Sequence, residues 1–387
     1  MPKSQGRALD RKKLLADPIL VAAIIGIFLF LFLFILYPLA ILLTDSVVVE
    51  KNINGTTLKT IGFANFIKIF KMTNFRHAIS NTLWLGLISG IGSTVIGFLF
   101  AYVDSYVDVG SKIVKKLFGV VSIPPVVSPP FVLSLSAILL FGRTGVITRG
   151  LFNMNNTQLY GWRGIALVQI LTFFPVCYMM LKGLLKNIDP SLEEAARNMG
   201  ASRFKVFQTV TFPLLLPGIG NAFLVSFIES VADFANPMII GGNFDTLATS
   251  IYLQLTGAYD KSGATAMAVV LLVISMGLFI LEKYWLERKS VATLTGKATR
   301  GRSAITDSSV RIPLVTICTL LTVFVISMYI LVPFGSLFKI WGRDYHLSLK
   351  WYEYIFKNKG YRVFTDSMLL SAIASPITAL LSMIIAY

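Results

Sequence analysis

Eight long runs of apolar residues constrain the fold of this 387-residue chain more than any other feature. Each run is close to the ~20 residues that an α-helix needs to cross the hydrocarbon core of a bilayer. The runs lie at Pro18–Leu43, Thr82–Val103, Leu117–Phe141, Gly164–Leu185, Phe212–Ile240, Ala264–Leu286, Pro313–Leu337 and Asp366–Tyr387. Charged residues make up only 14% of the chain, against roughly 25% in a soluble domain. The sequence therefore predicts an all-α polytopic membrane protein with about eight spanning helices.

The basic residues lie mainly between the apolar runs. A net charge of +16 in this arrangement is typical of loops beside anionic lipid headgroups, and we expect no nucleic-acid partner. A basic tail at 1–17 precedes a first run that is too long for a signal-peptide core of about 7–15 residues. We therefore expect a cytoplasmic N-terminus and a retained first helix. The cytoplasmic loops are then 104–116, 186–211 and 287–312.

The sequence offers little that points to catalysis. Cys177 and Cys318 are far apart along the chain, and His77 and His346 are isolated from other ligand-type residues. We expect neither a disulfide framework nor a metal site. The chain also lacks the G-x-x-x-x-G-K-[ST] pattern that cradles phosphate. The sequence predicts a protein that is not an enzyme.

A compact polar stretch, PSLEEAARNMGASRFKVFQTVTFP at 190–213, interrupts the apolar pattern. Asp189 is suited to cap a helix that begins at Pro190. Gly200 stands where a residue with positive φ is wanted to end that helix. An apolar stripe at helical spacing runs through Leu192, Ala195, Ala196 and Met199.

The second part of this stretch predicts another short helix. Ser202 is suited to cap it, and Pro213 leads the chain into the next apolar run. Its apolar faces are supplied by Phe204, Val206, Phe207 and Val210. Two helices of about ten residues do not hold themselves in water, so another surface must cover them. Either the loop docks in a groove of a partner protein, or it lies as an amphipathic hairpin on the inner leaflet.

The motif within this stretch resembles the EAA loop of binding-protein-dependent ABC importer permeases. In that family's pattern, E-A-A is followed by three residues, Gly, nine residues and I-x-L-P. The chain places Glu194, Ala195, Ala196, Gly200 and Pro213 at the matching positions, with Val210 for Ile and Phe212 for Leu. The resemblance is strongest over 77–286 and implies a type I ABC importer transmembrane fold.

The resemblance also implies partners and a location. In that family the loop, here 189–213, is cytoplasmic and fits a cleft on the ATP-hydrolysing subunit. We therefore expect an ABC ATPase subunit dimer that binds ATP and Mg, and no cofactor on this chain. An extracytoplasmic solute-binding protein delivers the solute. The implied location is the bacterial inner membrane.

An internal repeat suggests duplicated halves, which are common in transporters. ILYPLAILL (35–43), NFIKIF (65–70) and the segment 81–102 are matched in order by ILVPFGSLF (330–338), WYEYIF (351–356) and the segment 366–387. The second copy stops at Tyr387, so we expect a longer natural chain or a second permease half on another chain. The predicted domains are a first spanning helix and outer interfacial segment at 18–76, a permease domain at 77–286, a linker at 287–312 and the beginning of a second repeat at 313–387.

Two segments resemble the fused, iron(III)-type members of the family. They are ESVADFANPMIIGGNFDTLATSIY at 229–252 and SVATLTGKATR at 290–300. Such members have Asp-Phe-Gly where this chain has Asp233-Phe234-Ala235. The resemblance implies import of iron(III) or a similar small solute. The alternatives are a phosphonate, thiamine or other small-solute permease, and, outside the family, a secondary transporter or channel.

Polar residues in the fifth run are candidates for the translocation path. Ser226, Glu229 and Asp233 share one helical face, and ionisable groups within spanning segments are costly and often functional. They either line the solute path, or serve as an interfacial acid or an interhelix hydrogen bond. The segment FANFIKIFKMTNF at 63–75 repeats Phe, Ile and Lys at helical spacing, and we expect a helix on the outer interface.

Overall fold

The computed structural model describes residues 18–53, 56–154, 156–281, 283–284 and 305–386, and most of them are helical. Within these ranges, eight helices are long and apolar enough to cross a bilayer, as predicted. They are Ile24–Val47, Thr73–Tyr106, Phe131–Leu151, Trp162–Asn187, Arg203–Ala232, Lys261–Leu281, Ser308–Ser336 and Gly360–Ile385. The predicted tail 1–17, the linker up to 304 and Tyr387 lie outside the described residues.

The chain divides into two compact units, and the smaller one combines residues 1–62 with 348–387. Its described elements are α1 (Pro18–Leu31), α2 (Tyr37–Val47), β1 (Val48–Ile53), β2 (Thr56–Ile61), α16 (Lys350–Lys357) and α17 (Gly360–Ala386). A π-helical turn joins α1 to α2, and β1 pairs antiparallel with β2. In the described part of this unit, the most apolar stretches of the two candidate spans, Ile24–Val47 and Gly360–Ile385, bury no side chains. This pattern is typical of surfaces that face lipid or further protein.

The larger unit spans 63–347. Its helices are α3 (Ala64–Lys71), α4 (Thr73–Tyr106), α5 (Lys112–Val120), α6 (Ile123–Val127), α7 (Phe131–Phe141), α8 (Trp162–Asn187), α9 (Pro190–Asn198), α10 (Arg203–Val206), α11 (Phe212–Ala232), α12 (Ala235–Ile240), α13 (Leu247–Thr256), α14 (Lys261–Leu281) and α15 (Ser308–Ser336). A short hairpin, β3 (Phe338–Ile340) and β4 (Asp344–Leu347), follows α15.

The centre of the larger unit is built from α4, α8 and α11, which pack closely because glycines line α4. A Cβ on Gly97 would lie 2.5 Å from the Cβ of Cys177 and 2.8 Å from the backbone nitrogen of Tyr178, both on α8. In the same way, a Cβ on Gly90 would lie 3.0 Å from Cε2 of Phe223 on α11. Small residues allow helices to approach in membranes, where burial of apolar surface gives little driving force. The three helices therefore form a common support for the polar groups at their ends.

Two of the predicted runs are broken in the structure, the third of them at the prolines that interrupt it in the sequence, at 124, 125, 129 and 130. The run 117–141 is not one helix, because its prolines lack the N–H that an α-helix needs and their rings obstruct the preceding turn. The chain there forms the separate helices α5, α6 and α7, and the spanning candidate is Phe131–Leu151. The run 212–240 also breaks, at Asp233, between α11 and α12.

The segment predicted at the outer interface contains α3, which also contributes to the core. Ile69 is fully buried in a cluster that includes Phe75 and Met267. Lys68 Nζ lies 2.7 Å from Asp260 Oδ2, next to the start of α14. The opposite side of α3 leaves Ile67 exposed. The helix is thus amphipathic as predicted, but its buried side packs on protein.

Candidate functional site

The loop 189–213 folds as predicted at its local turns. Asp189 Oδ1 accepts a hydrogen bond from the Ser191 N–H at 2.9 Å and caps α9, and this bond holds the pKa of Asp189 below its usual value. After α9, Gly200 has a φ of +86°. The N–H of Ala201 then donates to the Ala196 carbonyl at 3.2 Å. Because the left-handed backbone region favours glycine, Gly200 fixes the direction of the turn.

The second half of the loop departs from the prediction of a separate helix. Ser202 caps α10 as expected, accepting from the Lys205 N–H at 3.3 Å. However, α10 runs through a π-helical turn, Phe207–Thr211, directly into α11. Pro213 therefore lies within a continuous helical segment and does not mark the start of a separate one. The missing N–H of a proline deprives an i−4 carbonyl of its partner, and a wider π-helical turn is one way to accommodate this loss.

Glu193 is a residue of the loop whose contacts the sequence pattern did not predict. Its side chain is buried, with 9% of its surface exposed. Glu193 Oε1 accepts hydrogen bonds from the Tyr106 hydroxyl at 2.6 Å and from Thr211 Oγ1 at 2.8 Å. Tyr106 ends α4 and Thr211 precedes α11. The carboxylate therefore joins α9 to two helices of the central support.

The outward side of the loop carries the motif acid and most of the predicted stripe. Glu194, Ala195, Leu192 and Met199 are exposed, with Met199 at 82%. Ala196 departs from the predicted stripe, because it points inward on the same side as Glu193, three residues earlier. Phe204 adds a further large exposed apolar side chain, at 68%. The loop thus presents an apolar knob around an acid, which suits a protein groove.

The predicted apolar residues of α10 and the π-helical turn are divided between two environments. Phe207 is half-buried, and its ring lies 5.7 Å from that of Tyr102, edge to face, and 5.8 Å from that of Phe212. Val210 is also half-buried, whereas Pro213 is exposed. Phe207 therefore packs on the central support and does not belong to the exposed knob.

A second polar site lies where α11 ends. Asp233 is half-buried, and its Oδ2 accepts from Gln169 Nε2 at 2.8 Å and from Asn236 Nδ2 at 2.9 Å. Its Oδ1 accepts from the backbone N–H groups of Ala235 and Asn236 at 3.1 and 3.3 Å. Asp233 therefore accounts for the helix break: it closes α11 and satisfies the first donors of α12.

Gln169 connects this break to the centre of the bundle. Its Oε1 accepts from Ser89 Oγ of α4 at 2.8 Å and from Ser230 Oγ of α11 at 2.7 Å. Because two hydroxyl groups donate to Oε1, the amide nitrogen is turned toward Asp233. Ser134 Oγ of α7 donates to Asn236 Oδ1 at 2.7 Å. The network thus links four spanning helices with α12.

The three residues predicted for the translocation path are not equivalent. Ser226 is buried, and its hydroxyl lies 2.8 Å from Cys177 Sγ in the contact with α8. Asp233 belongs to the network at the helix break. Glu229 alone has an exposed side chain. Asp233 thus forms a hydrogen bond between α11 and α8, while Glu229 is the acid with the exposed side chain.

Comparison with known proteins shows the family to which the chain belongs. Residues 93–291 match the model of the binding-protein-dependent transport system inner membrane component family. The chain is 34% identical over 385 residues to the ferric transport system permease protein FbpB of Actinobacillus pleuropneumoniae, covering 97% of this chain and 54% of that protein. It is 33% identical over 386 residues to the putative ferric transport system permease protein FbpB 1 of Haemophilus influenzae, covering 97% and 59%. The chain spans little more than half the length of these relatives.

Solved structures support the fold. The chain resembles a bacterial alginate ABC transporter chain, crystallised in complex with an alginate pentasaccharide-bound periplasmic protein, with a TM-score of 0.61 at 18% identity. The match covers 73% of this chain and 99% of the other. At this identity the likeness shows the fold alone.

Proposed function

Because the chain belongs to the family of binding-protein-dependent transport system inner membrane components, we propose that it is a membrane-spanning permease subunit of an ATP-driven importer. The exposed apolar knob around Glu194 is the observation that carries this proposal. Leu192 and Met199 leave large apolar side chains uncovered on one side of α9, while Glu193 and Ala196 attach the other side to the bundle. A short helix arranged in this way fits the groove of a partner.

The partner at this knob is an ABC ATPase subunit dimer on the cytoplasmic side. Glu194, Ala195, Ala196 and Gly200 match the motif that meets this subunit in the family. ATP and Mg belong to the partner, and this chain supplies no catalytic group. An extracytoplasmic solute-binding protein delivers the solute, and a second permease half, in cis or on another chain, completes the path.

In this mechanism, closure of the ATPase subunits around nucleotide moves α9. The movement passes into the bundle, whose helices then alternate between outward and inward openings, a rocking of packed elements about a fixed site. The π-helical continuity of α10 with α11 provides a direct route for it.

The solute is iron(III) or a similar small solute. The ferric permease relatives support this choice, and Glu229 adds an exposed carboxylate within a spanning helix. Carboxylate oxygens are suitable ligands for a hard cation. Cells that lack the chain should lose energy-dependent uptake of radioactive iron(III), and unchanged iron uptake with loss of phosphonate or thiamine uptake would reassign the solute.

Gly200→Val tests the coupling role. A β-branched residue resists the left-handed conformation, which costs an L-residue roughly 1–2 kcal/mol or more, so α9 should be misdirected. We expect the variant to insert in the membrane but to co-purify with about tenfold less of a subunit that is photolabelled by azido-ATP.

Gly183→Val is a matched control for this experiment. Both glycines have open space where a Cβ would lie, but only Gly200 has a positive φ. The control should retain the labelled subunit. Full retention by Gly200→Val would contradict the coupling role, and absence of any ATP-labelled subunit from the wild-type preparation would overturn the importer assignment.

A further inference from the structure

We propose that Glu193 and Tyr106 form a clasp that passes the movement of α9 to α4, so that both are positioning residues for transport. This inference rests on the proposed function, since it requires that an ATPase moves α9. It concerns the inward acid of the loop and not Glu194, whose side chain is exposed.

The carboxylate of Glu193 is held as an anchor. Glutamate is rarely buried unless its charge is bound, and here two hydroxyl groups donate to the same oxygen. The contact with Tyr106, at 2.6 Å, has the short length of a charge-assisted hydrogen bond. Adjacent acids thus face opposite ways: Glu194 outward and Glu193 into the bundle.

The donor side of the clasp is held in place as well. The ring of Tyr106 stacks on that of Tyr102, one helical turn earlier, with centroids 4.9 Å apart and planes 10° apart. Tyr102 in turn contacts Phe207 of the π-helical turn. A ring packed in this way cannot follow the carboxylate by rotating alone, so displacement of Glu193 must pull on α4.

The backbone of Tyr106 carries a second attachment. Its carbonyl accepts from the Ile305 N–H at 2.7 Å, and the Ile305 carbonyl accepts from the Asp108 N–H at 3.1 Å. Two residues later, Asp307 caps α15 by accepting from the Ser309 N–H at 3.1 Å. One residue therefore joins α9 through its side chain and the approach to α15 through its main chain. Movement of α9 reaches α4 and α15 at the same point.

Tyr106→Phe tests the clasp because it removes one hydroxyl and leaves the stacked ring. In the purified full-length permease without nucleotide, we expect hydrogen–deuterium exchange of the α9 amides to accelerate about tenfold, the loss of one charge-assisted hydrogen bond. Tyr178→Phe is the matched control: it also removes a hydroxyl that donates to a carboxylate near the end of α4, Asp104, at 3.2 Å, and this hydroxyl is bonded to Asp104 of α4 and Lys182 of α8. Unchanged α9 exchange in Tyr106→Phe would overturn the clasp.

The second measurement concerns transmission and uses the permease co-purified with its ATPase, trapped with MgATP and vanadate. In the wild type and in Tyr178→Phe, trapping should change exchange at both α9 and 305–309. In Tyr106→Phe the change at α9 should remain and that at 305–309 should be lost. A full change at 305–309 in Tyr106→Phe would overturn the transmission role, whereas a wild-type permease that binds no ATPase would overturn the proposed function and leave the clasp to be judged by α9 exchange.

Discussion

A carboxylate holds each end of α11, and the two are bound in different ways. At the start, Glu193 reaches across from α9 and accepts from the hydroxyl groups of Tyr106 and Thr211. At the end, Asp233 accepts from two side-chain amides and two backbone N–H groups. Hydroxyl donors swing about a single bond, whereas backbone donors are fixed by the fold. The four-donor attachment at the helix break is therefore the more rigid of the two, whereas the two-donor attachment at the loop can move together with α9 and α4.

Asp233→Ala should have the largest effect, because it removes the acceptor for all four donors at the rigid end. Buried donors without a partner cost about 1–3 kcal/mol each, so we expect the free energy of unfolding to fall by about 3 kcal/mol or more. Thermal unfolding of the purified chain, followed by tryptophan fluorescence, measures this. Asp233→Asn keeps one carbonyl oxygen and should lose less, while a wild-type melting temperature for the Ala variant would remove the distinction between the ends.

Gln169→Glu should have an intermediate and pH-dependent effect. The substitution replaces the amide nitrogen that donates to Asp233 Oδ2 at 2.8 Å with an oxygen, so two carboxylates face each other. Like charges at this distance repel each other, and the repulsion is relieved when the pair takes up one proton. The variant should therefore be least stable at about pH 8 and recover toward about pH 5.

The uncharged variant Gln169→Leu controls for this pH dependence. It loses the same hydrogen bond but should melt at a temperature that changes with pH as the wild type does. If Gln169→Glu also follows the wild-type pH profile, the amide is not oriented toward Asp233.

Asp189→Ala should have the smallest effect and be confined to the loop. It removes the cap of α9, so amide exchange in α9 should rise while the melting temperature stays close to that of the wild type. Because the pKa of Asp189 is lowered in the folded chain, its capping contribution is present above the usual Asp pKa and is lost as the pH falls through the lowered value. The Ala variant should lose that acid dependence of α9 exchange. A fall in melting temperature as large as that of Asp233→Ala would show that the loop end contributes as much to stability as the helix break.

The features that the sequence predicted are those that depend on near neighbours. Asp189, Gly200 and Ser202 act on residues two to five positions away, so their types and spacing were sufficient. The number of spanning helices also followed, since each long apolar run overlaps one of them. The family motif depends on spacing in the same way.

The features that the sequence did not predict are contacts between distant residues and the break in the apolar run 212–240. Tyr106 is 87 residues from Glu193, and no local pattern in the sequence joins them. The break at Asp233 was hidden because hydropathy averages over a short polar interruption. An acid followed three and four residues later by Asn236 and Pro237 is a turn signal that outranks the apolar run.

Through the π-helical turn, α10 continues into α11 without a break, so the second half of the loop and the spanning helix must rotate together. Each residue in an α-helix advances the direction of the next by about 100°. A codon gained or lost between Gly200 and Pro213 would therefore leave the loop long enough to reach the same place, but turned by more than a quarter of a circle. Glu193 would then no longer reach Thr211, and the exposed apolar side chains of the knob would no longer point away from the bundle. The number of residues between Gly200 and Pro213 is therefore fixed by the direction in which α9 and α10 must face, and not only by the distance that the segment spans.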